Sequence, residues 1–229
     1  MESPYEERRV RKLAAICMMA VVLLVGCGKP QTATRSSGFV ETAVSSVAQS
    51  GDLVFRAGKG RWSAYFRDIS QKERRFSHVG VVVTNESGVF VVHASADDMT
   101  GIGTVRAEPL ADFVADHDDI AVFRVRAEQT SRESIATACF SKIGTPFDAR
   151  FDLSCQEKVY CTELVWSSVN SVMGSEIIKP TTVKGHELVT VDACYSEMWA
   201  EKVYDRKQNA EQGGGEVRLS AARPAASHR

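Results

Sequence analysis

Two β-branched runs, Val79 to Thr84 and Val89 to Ala94, are separated only by Asn85-Glu86-Ser87-Gly88. Asn, Ser and Gly are residues of tight turns, and parallel neighbours would need a crossover of about a dozen residues or more. The two runs are therefore an antiparallel hairpin, and the rest of the chain has to pack around it. Asp52 to Phe55, Thr104 to Ala107 and Ile120 to Val125 read as further strands. One or two helical turns are expected over Trp62 to Ile69, and a short helix over Pro109 to Val114, where Pro suits a first turn. Longer helices are predicted over Ser131 to Ile143, with Ser131 near the cap and Gly144 ending it, and over Cys161 to Met173, stopped by Gly174. Tyr195 to Tyr204 closes the domain as a strand or helix. The class is α+β, an antiparallel sheet with helices packed on one side.

At 229 residues and 44% hydrophobic content the chain can bury one good-sized core. Its formal charge of −1 offers no cationic excess for a phosphate backbone, which argues against nucleic acid as a partner. The 6 cysteines are irregularly spaced and include no Cys-x-x-Cys pair, so neither a disulfide scaffold nor a zinc knuckle is indicated. No cofactor and no metal site is expected.

The N-terminus has the order of an export signal. Arg8, Arg9, Arg11 and Lys12 precede an apolar run from Leu13 to Val25, too short to span a bilayer comfortably. It closes on Leu24-Val25-Gly26-Cys27, which resembles the processing box of bacterial lipoproteins. That resemblance implies acylation of Cys27, attachment to a membrane and, with Gly28 following, an outer-membrane position facing the periplasm. The expected organisation is a signal peptide over 1–26, a flexible tether over 27–50, a globular domain over 51–206 and a disordered tail over 207–229.

The chemistry centres on two places. Ser77-His78-Val79-Gly80-Val81-Val82 puts a histidine at the mouth of a strand, and Tyr160-Cys161-Thr162-Glu163-Leu164-Val165-Trp166 puts a cysteine at the start of a helix. Helix N-terminal amides and the macrodipole favour a thiolate there, and an imidazole can take the thiol proton. The amide of Cys161 is a candidate oxyanion donor. A zinc site from Cys161, His78 and His93 lacks an evident fourth ligand.

These motifs, with Gly144-Thr145-Pro146-Phe147-Asp148 between them, resemble the YiiX/YaeF group of permuted papain-fold enzymes in the NlpC superfamily, in which the histidine hairpin precedes the cysteine helix. The resemblance spans Gly51 to about Tyr204 and implies Cys161 as nucleophile and His78 as base. The third polar group, which orients the imidazole, falls at His93, where relatives carry Glu; Glu108 is the alternative. Tyr160, Pro146 and Asp148 are candidate substrate-binding residues. The expected activity is that of an envelope-anchored cysteine amidase or peptidase acting through an acyl-thioester on a peptidoglycan peptide or other acylated amine. A lipid-directed acyl hydrolase or acyltransferase of the same fold, and a non-catalytic binding lipoprotein, are the rivals. Cys139, Cys155 and Cys194 read as core residues, with one bridge among them allowed in an oxidising compartment.

Overall fold

A computed structural model describes residues 34–117 and 119–211. The chain divides into Met1–Thr34 and Arg35–Arg229, and apart from Thr34 the description concerns the second unit. The signal peptide, Cys27 and residues 212–229 lie outside the described residues.

The order is α1 (Thr34–Val47), β1 (Leu53–Arg56), α2 (Arg61–Ile69), β2 (His78–Asn85), β3 (Gly88–Ala96), β4 (Gly103–Pro109), α3 (Leu110–Val114), β5 (Ile120–Val125), α4 (Gln129–Phe140), α5 (Cys161–Met173), β6 (Thr181–Val183), β7 (His186–Leu188), a 3₁₀ turn (Val191–Ala193), β8 (Ala200–Asp205) and α6 (Arg206–Glu211). Six strands form one sheet in the order β4-β3-β2-β1-β5-β8, every neighbouring pair antiparallel. The Val-rich hairpin sits in its middle, as its composition requires.

Side chains alternate across the sheet, so each central strand feeds two cores. Leu53, Phe55, Val79 and Val81 face one side, with Ile135 and Cys139 of α4 and Leu164 and Val165 of α5. Val54, Val82, Val91 and Val122 face the other, covered by Val40, Ala43 and Val44 of α1 and by Leu110, Phe113 and Val114 of α3. Helices α4 and α5 thus share one face, as expected, but the opposite face is also covered.

Part of that cover comes from a segment expected to be a tether. Val40, Ala43 and Val44 follow the i, i+3, i+4 spacing of an amphipathic helix and are buried. Their stripe is narrow and set among Ser and Thr, so the composition hid it. The junction after α1 is fixed by a buried ion pair. Arg124 donates from Nε and Nη2 to Asp52 at 2.9 and 2.7 Å and from Nη2 to the Val47 carbonyl at 2.7 Å. Gly51 is required beside it: its φ is +86°, and a Cβ there would come within 2.1 Å of the Arg132 carbonyl oxygen.

Other boundaries shift for local reasons. Helix α4 begins at Gln129 after Glu128, so Ser131 lies in its first turn and is not its cap. Residues 207–211, assigned to the tail, continue as α6. The β6–β7 hairpin is not visible in the hydrophobic pattern; Lys184 and Gly185 turn it with φ of +51° and +83°. The described cysteines Cys139, Cys155, Cys161 and Cys194 are all free thiols, so the bridge allowed among three of them is not formed.

Candidate active site

Cys161 is the first residue of α5. The amide of Tyr160, just before it, donates to the Glu163 carboxylate at 3.3 Å, and Gly174 closes the far end with a φ of +63°. The N–H groups of Cys161, Thr162 and Val79 point at the sulfur. The last of these belongs to the residue after His78, so the cysteine helix meets the histidine strand where that strand begins.

His78, His93 and Glu108 form a line. His78 Nε2 lies 2.8 Å from His93 Nδ1. His93 Nε2 lies 2.7 Å from Glu108 Oε2, a close polar contact with the N–H set off the direct line. Strand register produces this arrangement. Val91 is opposite Glu108 and His93 opposite Arg106, so Glu108 is the diagonal neighbour of His93 on the same face. The sequence posed His93 and Glu108 as alternatives; the fold uses both in series. Phe113 of α3 stacks against the His78 ring, with centroids 5.7 Å apart, and meets the His93 ring edge-on at 5.2 Å. Gly80 makes room for the pair, since a Cβ there would stand 2.4 Å from Val91 Cγ1 and 3.0 Å from His93 Cβ.

The carboxylate at one end settles the protons. Contact with His93 holds Glu108 below its usual range, and the ionised carboxylate favours the His93 proton on the facing Nε2. His93 Nδ1 then carries a lone pair and accepts from His78 Nε2–H. This leaves His78 Nδ1 as an open base, with no hydrogen-bond partner among the described residues.

His78 and Cys161 line one cleft of about 350 Å³, with Arg56, Ser77, Trp62, His117 and Phe147. His78 keeps part of its surface open there but is packed closely by protein atoms. That burial, then the charge of Arg56 and the neighbouring histidines, push its imidazole well below the usual value. His93 is lowered for the same first reason. The thiol moves the other way: burial pushes Cys161 up to about 12, outweighing the three amides and Arg56. The expectation of a preformed thiolate at the helix tip is therefore corrected. The resting pair is a neutral thiol and a neutral imidazole.

The candidate substrate-binding residues are placed elsewhere. Tyr160 is fully buried, and its hydroxyl accepts the Val189 N–H at 2.9 Å, so it packs between elements instead of lining the cleft. Pro146 is exposed and bridges to Thr104. Asp148 is buried and accepts the amides of Arg150 and Asp152 at 2.9 and 2.6 Å, shaping a turn. From that motif it is Phe147 that reaches the cleft. Two cleft residues were not singled out in the sequence. Arg56 lies one residue beyond the run read as the first strand, and His117 is tied at Nδ1 to the Ala57 carbonyl at 2.9 Å. Among the described residues no group of three or more His, Cys, Asp or Glu side chains is arranged to hold a metal ion.

Glu163 leads to a stability prediction. Burial is the first cause that raises its carboxyl to about 8, against an ordinary 4.5. In the unfolded chain it ionises above about 4.5, while in the folded protein it stays protonated until about 8. Its contribution is therefore fully present below 4.5 and is lost as the pH rises to about 8. Urea midpoints from pH 4.5 to 8 should fall less steeply for Glu163→Gln than for the wild type; parallel curves would contradict this.

Comparison with known proteins agrees with this architecture. The YiiX metalloprotein from Escherichia coli O157:H7 superposes with a TM-score of 0.58 at 18% identity, over 69% of this chain and 97% of that one, a likeness of fold. No curated protein matches the chain in sequence. The family of permuted papain-like amidase enzymes matches residues 47–204, from the end of α1 to the next-to-last residue of β8. The match takes in both the histidine hairpin and the cysteine helix of this chain, and the chain belongs to the permuted papain-like amidase family YaeF/YiiX, C92.

Proposed function

We propose that this amidase-family protein is an envelope-anchored enzyme that opens an amide through an acyl-thioester on Cys161, with His78 as general base. The observation that carries the reading is the His78–His93–Glu108 line ending in the cleft that holds Cys161. His78 Nδ1 takes the thiol proton as the sulfur attacks the carbonyl carbon. The oxyanion forms beside the N–H groups at the tip of α5. His93, backed by ionised Glu108, steadies the imidazolium, which returns its proton to the amine nitrogen as the C–N bond breaks. Water then attacks the thioester, its proton passes to His78, and the acid leaves with the thiol restored.

The Leu24-Val25-Gly26-Cys27 box supports an acylated N-terminus at Cys27 and an outer-membrane position facing the periplasm. A peptidoglycan stem peptide or another acylated amine is the substrate class such a place offers. The test uses the membrane-purified protein, incubated with muropeptides and separately with phospholipid vesicles. Muropeptides should give a hydroxylamine-sensitive mass increase on the Cys161 peptide, and the mature chain should begin at acylated Cys27. Acyl transfer from the vesicles alone would replace the amide by a lipid ester as substrate. An unmodified Cys161 under both conditions would remove the proposal.

A further inference from the structure

We propose that Arg56 is the anion-docking residue of the cleft, receiving a two-oxygen anionic group of the substrate beside the bond that Cys161 attacks. The inference rests on the reading of Cys161 as nucleophile and extends it to the substrate's chemical class. Arg56 ends β1, stands opposite His78 in the β1–β2 register, and lines the same cleft as Cys161. Its guanidinium is oriented: Nη1 donates to the Phe113 carbonyl at 2.7 Å, and the group lies 4.2 Å above the Phe113 ring.

Its place sets it apart: Arg67, Arg132 and Arg206 are also partly buried, bond backbone carbonyls and make no ion pair among the described residues, but of these four Arg56 alone lines the cleft with Cys161. Two other partly buried arginines clasp carboxylates, Arg75 with Asp119 and Asp205, and Arg124 with Asp52. Among the described residues no carboxylate comes within ion-pair distance of Arg56. Asp98, the acidic residue of the cleft, is committed to the Arg61 and Trp62 amides at the start of α2. Lys59 stands in the same cleft and adds to its positive field. A guanidinium held by one backbone contact keeps free N–H donors in the planar fork that fits a carboxylate or a phosphodiester. Burial lowers the basicity of Arg56 to about 10 even though the charge of Glu108 opposes it, a cost that an incoming anion would offset further. The same charge disfavours protonated His78, so docking an anion also strengthens the base.

The full-length protein would be alkylated with iodoacetate and with iodoacetamide, reagents of similar size that differ in charge, and labelling of Cys161 followed by peptide mass. The iodoacetate-to-iodoacetamide rate ratio cancels any effect of Arg56 on thiol reactivity common to both reagents. It should fall about tenfold or more in Arg56→Gln, the equivalent of one charge-assisted hydrogen bond, and largely persist in Arg56→Lys. An unchanged ratio in Arg56→Gln overturns the proposal. A second arm needs no variant: N-acetylglycine or diethyl phosphate should slow iodoacetamide labelling of the wild type, while neutral N-acetylglycinamide should not. The better protector identifies the anion as carboxylate or phosphodiester, and equal protection by all three compounds, or none, overturns the proposal. If neither reagent reaches Cys161, the nucleophile reading itself fails and this proposal falls with it.

Discussion

Cys161→Ala should lose turnover by about 10³-fold or more while keeping the fold, because a covalent route has no substitute for its nucleophile. The residue is 1% exposed and lies in the core between the sheet and α5, so the change removes one sulfur atom from a packed site and leaves the amides around it in place. Circular dichroism and the urea midpoint should stay close to the wild type. Cys161→Ser is expected to be nearly as inactive, since the surroundings that push the thiol up to about 12 would disfavour an alkoxide still more. The other buried thiols cannot take over, as neither Cys139 nor Cys194 lines the cleft with His78. Amide hydrolysis by Cys161→Ala at the wild-type rate would end the covalent mechanism.

His93→Leu should produce the second-largest effect, a fall in kcat of about 10²–10⁴-fold, the range typical of removing general acid–base assistance. His93 is a positioning residue, acting through its 2.8 Å contact with His78. Without an acceptor at His78 Nε2, the ring is free to place its proton on Nδ1 and lose its function as a base. His93→Gln should recover part of the rate, because an amide oxygen can accept the same N–H. The pH profile separates this role from packing. With His78 held well below 6.5, wild-type activity should persist into mildly acidic solution, whereas in His93→Leu the acid limb should move. Equal rates for Leu and Gln, with an unmoved acid limb, would mean that His93 only fills space.

Much of this was legible in the sequence, for identifiable reasons. The hairpin was readable because β-branched runs around a short turn leave one arrangement open, and α5 because Gly174 marks its end. Cys161 and His78 could be named because each opens such an element. The readings that failed depended on distant partners. Glu108 joins His93 through β3–β4 register, which the loop over residues 97–102 does not fix. Arg56 gains its meaning from Phe113, far along the chain. Tyr160 seemed available because it adjoins Cys161, yet its hydroxyl is used by Val189. Helix α1 was lost because a stripe of small apolar residues among Ser and Thr has little contrast.

The outer end of the His78–His93–Glu108 line meets solvent. Glu108 lies on the edge strand β4, and its side chain is 19% exposed, whereas His93 is sealed. A substrate filling the cleft closes the front approach to His78 but leaves this rear carboxylate wetted. The charge that orders both rings is thus set from the sheet edge, where salt and pH reach Glu108 whatever occupies the cleft.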